Sequence, residues 1–146
     1  MENIFKKDEI ILTEDLITRE GLVEWANSFA LGTAGYRAQL DPSDPFNSSV
    51  AFNAVKLAII AEAKASVYDG LYGHRQIENH VGGEVRPHTQ EFIRFVSRIY
   101  AAHGHRVHLR KSIKTTPIWY SSFGVFYNEY TDGENFTASH SPNFKG

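Results

Sequence analysis

The chain has 146 residues, with 15 basic and 17 acidic side chains, a formal charge of −2 at neutral pH and 42% hydrophobic residues. These are the dimensions of one domain with its own core, and the charge balance argues against a strongly basic nucleic-acid-binding surface. The absence of cysteine excludes disulfides, thiolate metal sites and cysteine nucleophiles.

Residues 1–15 read as a leader and residues 16–146 as one domain. The leader is too charged for a signal peptide, and no apolar run in the chain approaches the roughly 20 residues that cross a bilayer, so the expected compartment is the cytoplasm. Thr18 is placed to cap a helix whose Leu22, Trp25, Ala26 and Phe29 fall on one stripe, at i, i+3, i+4 and i+7. After Gly32–Arg37, the Asp41-Pro42-Ser43-Asp44-Pro45 segment breaks regular structure, and Asn47–Ser49 offer caps for a largely apolar helix through Lys64. Tyr68–Arg75 reads as a connection and Ile77–Gly83 as a strand.

Pro87 and Thr89 open a strongly periodic helix with Phe92, Ile93, Val96, Ile99 and Tyr100 on one stripe, and Gly104 stops it. Val107 and Leu109 alternate with His108 and Arg110 in a short strand. Pro117 begins a helix running to about Tyr130, Asp132-Gly133 turns the chain, and a last strand spans about Asn135–Ala138. Strands alternating with helices indicate an α/β layered fold, in which sites gather in loops at strand ends.

The last strand delivers Thr137-Ala138-Ser139-His140-Ser141-Pro142 to such a loop. A small residue lets the backbone turn off the strand and Pro142 stiffens the exit, so Ser139 is presented as a nucleophile would be. A Ser-His-Asp hydrolase reading fails, because neighbouring side chains on extended backbone point apart and His140 cannot serve Ser139 as base. His103, His105 and His108 suggest a metal string, but Gly104 ends a helix between the first two and the rings are expected to diverge. Phe123, Phe126, Tyr127 and Tyr130 fall at helical spacing and read as core rather than as a base-stacking platform. Neither a G-x-G-x-x-G fingerprint nor a G-K-S/T loop is present, so nucleotide binding is unsupported.

Four segments together carry a resemblance. Gly32-Thr33-Ala34-Gly35-Tyr36-Arg37 is similar to a G-T-S-G-x-R loop. The segment from Gly82 to Phe92 is similar to G-Y-D-x-R-x-x-S-x-x-F, with Glu84 and Thr89 as replacements. Thr116-Pro117 falls where a T-P helix start is found, and Thr137–Pro142 is similar to T-A-S-H-N-P, with Ser141 for asparagine. In this order the segments resemble the first domain of the α-D-phosphohexomutases, the phosphoglucomutases and phosphomannomutases.

The resemblance implies a three-layer α/β/α domain with a mixed sheet of about four strands. It implies that Ser139 carries a phosphoryl group exchanged with a hexose phosphate, that His140 assists, and that Thr33, Gly35 and Arg37 hold phosphate, Arg37 through its guanidinium. It further implies Mg²⁺, to which this chain contributes only the phosphoryl oxygen on Ser139, hexose 1,6-bisphosphate as activator, and further domains of a parent chain as partners. Arg86 reads as a scaffold residue paired with Glu84 rather than a substrate contact, and Lys145 is not assigned as a base. Ser141 and the short stretch after it leave a second reading, a non-catalytic phosphosugar-binding or regulatory paralogue.

Overall fold

A computed structural model describes residues 10, 14, 26, 35–40 and 52–137. The expected leader apart from Ile10 and Glu14, all but Ala26 of the stripe that follows Thr18, the Asp41–Pro45 breaker and the Asn47–Ser49 caps lie outside the described residues. Helix α1 spans Ala54–Tyr72 and begins where the Asn53 side chain accepts from the Lys56 amide at 2.9 Å, an N-cap that satisfies one of the first turn's open donors. Of the Tyr68–Arg75 segment expected to be a connection, Tyr68–Tyr72 form the last five residues of this helix, and Gly73–Arg75 connect it to the next strand. Gly70 alone does not end it, since one internal glycine costs only about 1 kcal/mol against alanine; the chain leaves the helix at Gly73, whose φ of 61° favours glycine.

The remaining elements are β1 (Glu78–Gly83), α2 (Thr89–Ala102), β2 (Arg106–His108), a 3₁₀ turn at Lys111–Ile113, α3 (Ile118–Tyr127) and β3 (Asp132–Phe136). The sheet order is β2-β1-β3 and both pairings are parallel, with Asn79 opposite Val107 and Val81 opposite Glu134. The fold is therefore α/β, but with three parallel strands among the described residues instead of a mixed sheet of about four. Asp132-Gly133, read from sequence as a turn, are the first residues of β3. The chain reverses earlier, at Asn128 and at Glu129, where φ is 55°.

The two faces of the sheet differ in chemistry. Toward α1 and α2, Val81 joins Leu57, Ala61, Phe92, Val96 and Tyr100 in a buried apolar core, with Val107 and Phe136 packed against it. Period-2 alternation turns the intervening residues to the other face, so α3 meets His80 and Gly82 of β1 and Gly133 of β3. A methyl group on Gly82 would come within 3.0 Å of Ser121 Oγ, and one on Gly133 would collide with the Val125 side chain. Helix α3 thus lies close on glycine and turns Ser121 and Val125 inward.

The aromatic stripe of α3 consequently points away from the core. Phe123 is 62% exposed, Phe126 84% and Tyr127 72%, which corrects the expectation that these rings form core. Helical spacing makes them one stripe, but this sheet face has no apolar side chain to receive it.

The close approach at Gly133 has a measurable cost. Gly133→Ala is expected to lower unfolding free energy in urea by about 1–3 kcal/mol through overpacking, and Val125→Ala in the same background should recover part of that loss. Wild-type stability in Gly133→Ala would contradict the packing described.

Candidate functional site at the carboxyl edge of the sheet

Parallel strands end on the same side, and β1 and β3 leave the sheet together. Gly83 stands opposite Phe136, the Glu84 amide donates to the Phe136 carbonyl at 3.0 Å, and the Thr116 amide donates to the Gly83 carbonyl at 2.7 Å. Asn135 Nδ2 reaches the Thr116 carbonyl at 3.4 Å. The end of β1, the Thr116-Pro117 start of α3 and the exit of β3 are therefore one hydrogen-bonded assembly.

An aromatic cluster joins the Gly35–Leu40 segment to it. Tyr36 stacks on Phe52 at 5.9 Å between centroids, and Phe52 meets Phe92 edge-on at 5.2 Å and Phe136 at 6.4 Å. The Phe52 amide donates to the Gln39 carbonyl at 2.8 Å, and Leu40 pairs with Phe52 in a parallel bridge. Gly35, with φ of 115°, and the exposed Arg37 flank the anchored Tyr36. The residue after Phe136 is Thr137, the last one described.

Beside this edge lies an open cleft of about 360 Å³, lined by Gly83, Glu84, Arg86, His88, Thr89 and Ile113 among others. Arg86 Nε pairs with Glu84 Oε1 at 3.2 Å, as expected of a scaffold residue. His88 and Ile113 both hold positive φ, at 63° and 50°, a conformation that costs a non-glycine residue on the order of 1–3 kcal/mol and collects at functional sites.

Of the residues to which the resemblance gives a catalytic or phosphate-binding role, the structure describes Gly35 and Arg37; Thr33, Ser139 and His140 lie outside the described residues. Ser139, the one Mg²⁺ ligand expected from this chain, is among the latter. No group of three or more His, Asp or Glu among the described residues is arranged to hold a metal ion. None of their helices is long and apolar enough to cross a membrane. Compared with protein-family models, curated proteins and solved structures, the chain has no significant match.

Sequence reasoning missed three polar clusters. His103 and His105 do not diverge: His103 Nδ1 lies 2.6 Å from Asp69 Oδ2, and His105 Nε2 lies 2.8 Å from Asp69 Oδ1. The Asn79 amide nitrogen sits 2.9 Å from His105 Nδ1, which makes that nitrogen an acceptor and the Nε2–H the donor to Asp69. His103 Nε2 also reaches Glu62 Oε1 at 2.9 Å, so both of its nitrogens face carboxylates, the arrangement of an imidazolium. His108 turns elsewhere, to Glu78 at 2.8 Å.

The second cluster sits where β3 faces the helices. Lys64 Nζ lies 2.5 Å from Asp132 Oδ2 and 3.7 Å from Glu134 Oε1, and the Tyr100 hydroxyl donates to Glu134 Oε2 at 2.6 Å. Burial raises the pKa of Glu134 and, with the neighbouring carboxylates, those of Tyr100 and Tyr68. The third is His80 Nε2 beside Ser121 Oγ at 3.2 Å, with burial lowering the His80 pKa. Ser121 is 5% exposed, which makes this a packed structural pair without access for a substrate.

Hydrogen bonds to Asp69 and then Glu62 raise the His103 pKa above its ordinary value, while those from His105 and then His103 lower that of Asp69. The His103 contribution to stability is complete below its unfolded pKa of about 6.5 and is lost as pH rises through the higher folded value. That of Asp69 is present above its unfolded pKa of about 3.9 and is lost on acidification through the lower folded one. Thermal melts from pH 6 to 9 should therefore show the wild type losing its advantage over His103→Gln. A constant difference across that interval would contradict the imidazolium assignment.

Proposed function

We propose that this chain is the serine-bearing domain of a phosphohexomutase, a phosphotransferase that interconverts hexose 1-phosphate and hexose 6-phosphate, of glucose or mannose, through a phosphoserine at Ser139 and a hexose 1,6-bisphosphate. The observation that carries this reading is spatial. The described parts of all four resembling segments, Gly35–Arg37, Gly82–Phe92, Thr116-Pro117 and Thr137 directly after β3, gather at one edge of the sheet, although they are spread over about a hundred residues of sequence. The carboxyl edge of parallel strands is where α/β folds hold their ligands.

In the proposed step a sugar hydroxyl oxygen attacks the phosphorus on Ser139, the P–Oγ bond breaks, and Oγ keeps the bonding pair and gains a proton as the sugar hydroxyl loses one; transfer of the other phosphoryl group of the bisphosphate back to Oγ, with the proton returned to the freed sugar oxygen, restores the phosphoserine and leaves the isomeric hexose phosphate. Such a transfer needs positioning and positive charge around the equatorial oxygens more than any covalent work by the protein. Arg37 supplies a bidentate donor, Gly32 and Gly35 permit close backbone approach, and Thr33 and His140 hydrogen-bond the phosphate. The phosphoryl oxygen on Ser139, with ligands from the parent chain's other domains, would hold Mg²⁺, which would supply charge neutralisation. The substrate is a cytoplasmic sugar phosphate, and the isolated domain is inactive in this reading.

Ser139→Ala in the full-length parent should reduce mutase turnover by at least about 10³-fold, since it removes the acceptor atom itself. Arg37→Ala should lower kcat/KM by roughly 10- to 100-fold, the worth of one charge-assisted pair of hydrogen bonds. Wild-type turnover in Ser139→Ala, measured by a coupled hexose 6-phosphate assay, would overturn the assignment. Ser141 in place of asparagine favours the second reading, a phosphosugar-binding paralogue, which predicts saturable binding with no phosphoryl group on Ser139.

A further inference from the structure

We propose that the outward face of α3 is the contact surface of a two-fold symmetric homodimer, in which the α3 helices of two copies pack antiparallel. At 100° per residue, Trp119, Tyr120, Phe123, Phe126 and Tyr127 fall within an arc of about 120°, and they are 81, 61, 62, 84 and 72% exposed. With 150–250 Å² presented by one aromatic side chain, the stripe leaves roughly 750 Å² of ring surface in water. A monomer's largest apolar patch is ordinarily about 300–600 Å², whereas a standard interface takes about 800 Å² from each partner. One helix of ten residues therefore offers close to the area a stable dimer requires.

The flanks of the helix identify the occupant. Between Arg106 and Asn128 the sequence has no Asp or Glu, and the approach to α3 carries Arg110, Lys111 and Lys114, all exposed. Arg110 lies over the Tyr120 ring at 5.9 Å. The other end carries the exposed Glu129 and the negative end of the helix dipole. A two-fold axis near Phe123 sets the basic flank of each copy against the acidic flank of the other, so the surface is complementary to itself, as an isologous contact demands. Gly124 leaves an open notch beside the rings, with no atom within 4 Å of where a Cβ would stand, into which a partner's ring can seat.

Sedimentation velocity of the 146-residue chain from about 1 to 200 µM, a range around common micromolar homodimer affinities, reads the association directly. The expected result is a concentration-dependent dimer that Phe126→Asp shifts toward monomer by at least tenfold in Kd; that side chain makes no core contact, and its folding is checked by circular dichroism. Lys114→Glu and Glu129→Lys should each weaken association at low salt by about twofold to fivefold, and the two together should restore it. A monomer throughout the range would overturn the proposal, whether or not the face binds some other protein. So would a dimer indifferent to Phe126→Asp, or one in which the paired charge reversals only add to each other's loss.

Discussion

The unequal chemistry of the two sheet faces governs the rest of this structure. Strand β1 has parallel neighbours on both sides, so its alternation fixes what each helix layer meets. Val81, together with Phe136 of β3 and Val107 of β2, gives α1 and α2 an apolar surface on which to build the core. His80, Gly82 and Gly133 give α3 only small or polar groups. Burial of aliphatic and aromatic area contributes on the order of 25 cal/mol per Å², and nearly all of it is on one side. The other side is held by close contact, where missing side chains on the sheet let Ser121 and Val125 settle onto the backbone.

The same sidedness explains the polar clusters. Asp132 and Glu134 point toward the helices, where carboxylates are costly, and they are tolerated because Lys64 and the Tyr100 hydroxyl meet them. Asp69 holds the carboxyl-terminal half of α1 to His103 and His105, at the turn between α2 and β2. These bonds fix the helices relative to the strands at the amino edge. Aromatic contacts and backbone hydrogen bonds secure the carboxyl edge.

Much of the architecture is legible in the sequence. The stripe of α2 and its Gly104 stop give that helix to within a residue or two, and β1 and β2 are nearly as clear. β3 begins earlier than its pattern suggests because its inward residues are charged and Asp-Gly is ordinarily a turn signal; their partners Lys64 and Tyr100 are distant in sequence. Period alone reveals the aromatic stripe of α3 but not its direction, which depends on two glycines in different strands. The convergence of His103 and His105 likewise depends on Asp69, more than thirty residues away. For the candidate site, sequence identifies the segments, and the described structure adds that their roots are neighbours; Gly35 and Arg37 are among the described residues, whereas Thr33, Ser139 and His140 are not.

The proposed function stands or falls on a phosphoryl group carried by Ser139. Site-resolved mass spectrometry of the full-length parent, before and after incubation with a hexose 1,6-bisphosphate and Mg²⁺, tests it most directly. The expected result is a phosphoryl group on Ser139 that is lost when a hexose monophosphate is added. A folded protein whose Ser139 stays unmodified under every one of these conditions would contradict it.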